Sequence, residues 1–143
     1  MSVEQEARPK TTSRARTLTV SEVVQETKDS ITISFEVPDE IVDDFKHQPG
    51  QFITLKIPSD QTGHVARCYS LSSSPHVNDF RLEIGVKRTD GGYASNWLCD
   101  NISVGMEVTA LPPSGQFTAK NMDVDLLFFA GGSGITPVLS LVK

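Results

Sequence analysis

Three short segments carry residue types that could bind a planar, anionic ligand. The first is Arg67-Cys68-Tyr69-Ser70. On a β-strand, Arg67 and Tyr69 point to one face, whereas Cys68 and Ser70 point to the other. A guanidinium can bind phosphate, an aromatic ring can stack, and a hydroxyl can hydrogen-bond a heteroatom. On these residues alone, an ordinary barrel strand with an exposed arginine is an equal alternative.

The second segment is Gly91-Gly92-Tyr93-Ala94-Ser95, at the start of a short helical pattern. Free backbone N–H groups and the helix dipole favour an anion at this position, and the Ser95 hydroxyl adds a further donor. A glycine turn followed by an ordinary capped helix would have the same sequence. Combined with Arg67, this helix start could bind a diphosphate from two sides.

The third segment is a glycine-rich turn, residues 131–134, between an apolar run and a helix start. The run at 125–130 is typical of a parallel strand buried on both faces. Thr136 suits the N-cap and Pro137 the first position of the helix. Strand, turn and helix start together predict the opening of a doubly wound nucleotide-binding fold. Because this helix would be too short to be stable alone, we expect the 143-residue chain to be a piece of a longer protein.

Short strands, marked by period-2 alternation or by the turn signals between them, are predicted to position these segments. They lie around residues 18–24, 31–37, 52–57, 65–71, 80–86 and 106–110, with one short helix over 94–102. The predicted class is all-β, a six-stranded antiparallel Greek-key barrel with one short helix. The first strand, turn and helix start of a truncated α/β nucleotide-binding domain follow it. The predicted boundaries are 1–16 for a flexible tail, 17–121 for the barrel domain and 122–143 for the start of the second domain.

Composition excludes several other kinds of site. The formal net charge of −5 offers no basic surface for nucleic acid. The two cysteines, Cys68 and Cys99, form no Cys-x-x-Cys pair, so no metal or iron–sulfur site is expected within the chain. The three histidines are expected at the surface.

The charged N-terminal segment lacks an apolar core. We therefore expect no signal peptide or membrane anchor there, which favours a cytoplasmic protein.

Taken together and in this order, the three segments resemble the ferredoxin–NADP reductase superfamily. Its flavin motif, Arg-x-Tyr-Ser, is matched by residues 67–70, and its pyrophosphate motif, Gly-x-x-Ser, by residues 92–95. Its nucleotide-domain opening, Gly-x-Gly-x-x-Pro, is matched by residues 132–137. Residues 65–71 and 92–100 are most similar to the reductase components of 3-ketosteroid 9α-hydroxylases, and phenylacetyl-CoA epoxidase reductases are also similar.

The resemblance implies an FAD site at the mouth of the barrel. Tyr69 would stack on the isoalloxazine and Ser70 would hydrogen-bond near its N5, which makes these two the expected catalytic residues. Arg67 would offset the charge of the diphosphate, and Thr136 would approach the flavin and nicotinamide from the other side. The full set of expected cofactor-binding residues is Arg67, Tyr69, Ser70, Val86, Lys87, Gly92, Tyr93, Ala94, Ser95 and Thr136.

The same resemblance implies the function of the intact parent, an NAD(P)H-dependent oxidoreductase. Electrons would pass from NAD(P)H through FAD to an iron–sulfur centre and on to an oxygenase or ferredoxin, in steroid or aromatic-compound degradation. NAD(P)H and a [2Fe-2S] cluster are expected only in the parent, and we expect the present chain alone to be inactive with NAD(P)H. Two alternatives stay open from the residues: a non-enzymatic binding barrel, and a regulatory fragment without turnover.

Overall fold

The computed structural model describes residues 14–76 and 80–143. Residues 1–13 of the predicted tail lie outside these ranges. The described chain forms β1 (Arg16–Thr27), β2 (Ser30–Glu36), β3 (Phe52–Ser59), β4 (Gly63–Ser70), β5 (Leu82–Lys87), α1 (Tyr93–Asn101), β6 (Glu107–Ser114) and α2 (Ile135–Val142). Short 3-10 helices over Asp39–Phe45 and Gly132–Gly134 precede β3 and α2.

The six strands pair antiparallel in the order β4-β3-β6-β1-β2-β5, which confirms the predicted fold class. Alternation along β2, β3 and β5 places every second residue, an apolar one, in a single core, as the period-2 pattern predicts. The core residues of these strands include Ile31, Ile33, Phe35, Ile53, Leu55, Ile57, Leu82, Ile84 and Val86. Burying each of these larger side chains contributes roughly 1.5–3 kcal/mol, so the alternating strands determine the register of the sheet.

The helix α1 closes one end of this core. Ala94 and Leu98, four positions apart on one face, are buried, and Trp97 and Ile102 pack partly against the core. This is the face predicted from the sequence. The helix ends where the backbone N–H of Ile102 donates to the carbonyl of Leu98 at 3.0 Å.

The outermost strands, β4 and β5, meet at one isolated bridge between Leu71 and Ile84. Continuing this antiparallel register towards the start of β4 would set Ser70 opposite Gly85 and Arg67 opposite Arg88. Instead, the strands separate at this point and a cavity opens between them. The curled sheet therefore stops short of full closure at the place where the predicted binding motifs lie.

The predicted strand at residues 125–130 is wrong. This segment is irregular, and the side chains of Leu127 and Phe129 are 81% and 89% exposed. A parallel strand needs neighbours for its backbone hydrogen bonds, and the described chain brings none to this segment. The apolar pattern stands, but none of the described strands pairs with this segment.

Two boundaries and one histidine also differ from expectation. The helix α2 begins at Ile135, not after a Thr136 cap, because the glycine turn already winds as a 3-10 helix with Gly134 N–H bonded to Gly131 at 3.0 Å. Strand β6 runs through both prolines to Ser114.

His47 is buried, 8% exposed, beside the ring of Phe80 at 6.3 Å between centroids. The prediction that it lies at the surface is therefore wrong.

Candidate functional site

An open cavity of about 460 Å³ lies between the separating ends of β4 and β5. Its volume falls in the range of small-molecule and cofactor sites. The residues that line it are Arg67, Cys68, Tyr69, Ser70, Gly85, Lys87, Arg88, Thr89, Gly92, Tyr93, Ala94, Ser95, Ser133 and Thr136. Three segments that are distant in sequence thus contribute to one cavity.

The predicted site residues, with one exception, line this cavity. Val86 is the exception, since its side chain is 1% exposed and belongs to the core. Its neighbours Gly85 and Lys87 point to the opposite, exposed face of β5 and line the cavity, as alternation along a strand requires. Only the backbone of Val86 is therefore placed to contact a ligand.

Strand β4 supplies one wall. It is the first strand in the sheet order, and its residues are all exposed or half-buried. All four residues of the segment 67–70 therefore reach the cavity, although alternation had separated them into two faces. Cys68 is an exposed free thiol, and its sulfur lies 3.3 Å from the hydroxyl of Thr54.

The chemistry of this wall is set by Arg67 and Tyr69. Burial raises the pKa of the Tyr69 hydroxyl above its ordinary value, and the charge of Arg67 opposes that shift. The ring is therefore a neutral phenol at neutral pH, half-buried and offering an apolar face to a planar ligand. The guanidinium of Arg67 is exposed and donates to the carbonyl of Ala66 at 2.8 Å, which leaves further N–H donors for an anion.

The opposite wall is the turn from Thr89 to Gly92 and the start of α1. The N–H of Gly92 donates to the Thr89 carbonyl at 2.9 Å, and the Thr89 N–H donates to the Ser95 hydroxyl at 3.2 Å. Since the Ser95 oxygen accepts here, its own proton is free to donate to an anion. The helix dipole adds partial positive charge at the same place.

Gly92 is required by space at this turn. A Cβ there would lie 2.8 Å from the Thr89 Cβ and 3.1 Å from the Ser95 hydroxyl oxygen. Asn96 holds the turn from the next helical position, because its amide nitrogen donates to the carbonyls of Thr89 and Gly92 at 3.0 and 2.6 Å. The anion-binding backbone is thus preorganised by its own helix.

Tyr93 spans the cavity rim. Its hydroxyl donates to the carbonyl of Pro58 at 2.6 Å, which ties the start of α1 to the end of β3. The ring itself is 46% exposed and lines the cavity. It therefore adds a second aromatic surface, at the end of the cavity away from Ser70.

The start of α2 covers part of the cavity from the third side. Ser133 and Thr136 line it, and a Cβ at Gly85 would lie 3.5 Å from the Thr136 hydroxyl. Further along the helix, the buried hydroxyl of Ser140 donates to the Ser73 carbonyl at 2.5 Å. Lys143 lies 3.6 Å from the Glu83 carboxylate. These contacts hold α2 against the barrel.

The charge of the cavity differs from that of the whole chain. Its described lining includes three cations, Arg67, Lys87 and Arg88, and no carboxylate, although the chain has a net charge of −5. Such a cavity fits a ligand that has both a flat ring system and anionic groups. Within the described ranges, no three His, Cys, Asp or Glu side chains lie together as metal ligands would.

Sequence reasoning missed several lining residues, chiefly Arg88 and Thr89. Both stand between the matched Val86-Lys87 pair and the glycine turn, so their position between two site segments was the available signal. Gly85 and Cys68 were also missed as lining residues.

In the described part of the chain, no helix is both long enough and apolar enough to cross a membrane.

The barrel, the cationic cavity and the start of α1 together suit a dinucleotide cofactor that carries a flat ring system. The family model described as "Oxidoreductase FAD-binding domain" matches residues 17–119. The chain belongs to this family, whose cofactor is FAD. The fit is physical as well, since two tyrosine rings suit the flat ends of FAD and the cations suit its diphosphate.

Individual relatives agree with this assignment. The chain is 59% identical over 131 residues to the ferredoxin reductase component of 3-ketosteroid-9-alpha-monooxygenase from Rhodococcus rhodochrous, an alignment covering 92% of the chain and 37% of that protein. It is 43% identical to the glycine betaine monooxygenase reductase subunit of Pseudomonas aeruginosa, over 85% of the chain and 32% of that protein. The chain thus spans about a third of the length of these relatives.

A reductase of known structure shares the fold. Phthalate dioxygenase reductase, described as a modular structure for electron transfer from pyridine nucleotides to [2Fe-2S], superimposes with a TM-score of 0.76 at 25% identity. The match covers 90% of the chain and 38% of that structure. The likeness confirms the resemblance to ferredoxin reductase-type flavoproteins.

Proposed function

We propose that this chain is the flavin domain of an NAD(P)H-dependent reductase that delivers electrons through an iron–sulfur centre to an oxygenase. The observation that carries the proposal is the convergence of Arg67–Ser70, Gly92–Ser95 and Thr136 on one cationic cavity. The two relatives named above are reductase components of monooxygenases, and the 59% identity favours a steroid monooxygenase as the acceptor system. A ferredoxin is the alternative acceptor, and the cytoplasm is the proposed location.

Bound FAD supplies the conversion between the two-electron chemistry of NAD(P)H and the one-electron chemistry of an iron–sulfur cluster. The protein's contribution is binding and orientation. Tyr69 stacks its neutral ring against the isoalloxazine, and the Ser70 hydroxyl donates a hydrogen bond near N5. Thr136 contacts the flavin region from the α2 side, where the nicotinamide would arrive.

The diphosphate is held between the two walls of the cavity. Arg67 donates charge-assisted hydrogen bonds from β4, and the N-terminus of α1 with the Ser95 hydroxyl donates from the opposite side. Tyr93 and Ala94 lie beside this diphosphate site at the start of α1, and Lys87 adds positive charge. Val86 contributes backbone groups alone, because its side chain is in the core.

Two domains share the chain in this proposal. Residues 17–121 form the FAD-binding domain, and residues 122–143 begin a nicotinamide-binding domain whose remainder would complete the parallel sheet. The exposed Leu127 and Phe129 support this division, since helices packed on the faces of the completed sheet would bury them. The chain as given is expected to bind FAD without oxidising NAD(P)H at a flavoenzyme rate.

The test is an FAD titration followed by visible absorption. The wild-type chain is expected to perturb the flavin spectrum, and Arg67→Ala is expected to weaken binding by roughly tenfold or more, the effect of losing a charge-assisted bond. Arg81→Ala is the matched control, because Arg81 is paired with Glu22 at 3.1 Å and does not line the cavity. A chain that leaves the flavin spectrum unchanged at any FAD concentration would refute the proposal.

A further inference from the structure

A second arginine, Arg88, lies on the cavity wall opposite Arg67. It follows the last residue of β5, and it is one of the lining residues. The register set by the Leu71–Ile84 bridge, if continued, would place Arg67 and Arg88 directly across from each other. Because the strands separate there, both arginines border the gap between the strands as lining residues of the cavity.

The position of Arg88 is held from two directions. Its backbone N–H donates to the Asp29 carbonyl at 2.7 Å, which ties this residue to the hairpin between β1 and β2. Its guanidinium donates to the Asp100 carboxylate on α1 at 2.6 Å. A single bond of this kind occupies one of the five N–H donors of the guanidinium. The remaining donors are available to an anion in the cavity.

Asp100 belongs to the same face of α1 as Asn96, four positions earlier. Asn96 bonds the Thr89–Gly92 turn, and Asp100 bonds Arg88 immediately before that turn. One helix face therefore orients both the backbone donors and the guanidinium of this wall. Positions four apart in a helix are neighbours on its surface, which makes this a continuous supporting row.

We propose that Arg88 is a second diphosphate-binding cation of the FAD cavity and that Asp100 is its positioning residue. This inference rests on the proposed FAD site. Arg67 and Arg88 bind the diphosphate from opposite strands, so that two guanidinium groups oppose its two negative charges. Asp100 fixes the guanidinium before the cofactor arrives, which lowers the conformational entropy lost on binding.

The test compares FAD with riboflavin, which has the same ring system and no phosphate. Dissociation constants are measured by quenching of flavin fluorescence for wild type, Arg88→Ala, Arg88→Lys and Asp100→Asn, with Arg81→Ala as the control for loss of a surface arginine. Arg88→Ala is expected to weaken FAD binding about tenfold and leave riboflavin binding unchanged. Arg88→Lys is expected to keep part of the affinity, and Asp100→Asn to weaken FAD binding by a smaller factor than Arg88→Ala.

Each of the other outcomes would contradict one part of this proposal. Equal weakening of FAD and riboflavin would mean that Arg88 only maintains the structure, and an unchanged FAD affinity would mean that it does not contact phosphate. Tighter FAD binding in Asp100→Asn would show that Asp100 competes with the cofactor and does not position Arg88. A wild-type chain that binds neither ligand would refute the FAD site itself, a failure distinct from that of Arg88 alone.

Discussion

The side-chain amide of Asn96 donates a hydrogen bond to the backbone carbonyl of Gly92 at 2.6 Å. The same amide reaches the Thr89 carbonyl at 3.0 Å, so one side chain closes the turn that precedes α1. A turn held in this way fixes the position of the first turn of α1, whose backbone N–H groups have no partner within the helix. This makes the anion site at the start of α1 a preorganised one.

Replacing Asn96 by alanine is expected to loosen this turn. The loss of two hydrogen bonds to backbone carbonyls should lower the free energy of unfolding by about 1–2 kcal/mol, because each contributes about 1 kcal/mol. FAD affinity should fall with it, while riboflavin affinity should be retained. Chemical denaturation and flavin titration measure the two effects. Asn101→Ala is the control, since the Asn101 amide donates to the Trp97 carbonyl at the far end of α1 from the turn.

Substitution of Gly92 by alanine should affect the site more strongly. The added Cβ would lie 2.8 Å from the Thr89 Cβ, a distance at which one of the two must move. We expect FAD binding to weaken by at least tenfold while the barrel still folds, as monitored by titration and circular dichroism. In Gly131→Ala the added Cβ meets nothing within 4 Å, and affinity should stay at the wild-type value. Equal effects of the two variants would contradict a steric role for Gly92.

Acidification should destabilise the chain through His47. Burial lowers the pKa of this imidazole below its ordinary value of 6.5, although backbone hydrogen bonds with Phe45 and Ser73 act in the opposite direction. The unfolded chain therefore binds a proton at a higher pH than the folded chain does. Stability is at its full value above about pH 6.5 and falls as the pH drops below it.

Thermal or urea unfolding between pH 5 and about 8 tests this expectation. In His47→Gln, the part of the decline that begins near the ordinary histidine pKa should disappear, even if the variant is less stable overall. The exposed His64 provides the control, and His64→Gln should retain the wild-type pH dependence. An identical acid slope in wild type and His47→Gln would show that other groups cause the decline.

Removing the buried hydroxyl of Ser140 should detach α2 from the barrel. In Ser140→Ala, the Ser73 carbonyl loses its donor, at an expected cost of about 1–2 kcal/mol to the docking of this helix. Hydrogen exchange in residues 135–142 should accelerate, and the strands of the barrel should keep their protection. Val142→Ala, at a position 60% exposed, should leave exchange unchanged. Uniformly faster exchange across the chain would indicate that α2 is part of one cooperative unit instead.

Much of the barrel and most of the residues that line its cavity were expected from the sequence. Alternation of apolar residues predicts the strands that bury one face, because a strand half-buried against one core must alternate. Strand β4 buries none of its residues, and the signal that predicts it is the polar loop at 59–63 that precedes it. The Arg67–Ser70 and Gly92–Ser95 segments are recognisable because phosphate and ring binding need particular residue types at particular spacings. The glycine at position 92 and the serine at 95 are short-range requirements of one turn.

Other features depend on contacts between distant parts of the chain. Arg88 enters the site because β4 and β5 separate after the Leu71–Ile84 bridge, and no local pattern marks where two edge strands part. His47 is buried because a neighbouring loop brings Phe80 against it. The apolar run at 125–130 has strand composition but is not a strand, because the backbone of a parallel strand must bond to neighbours that its own sequence cannot supply.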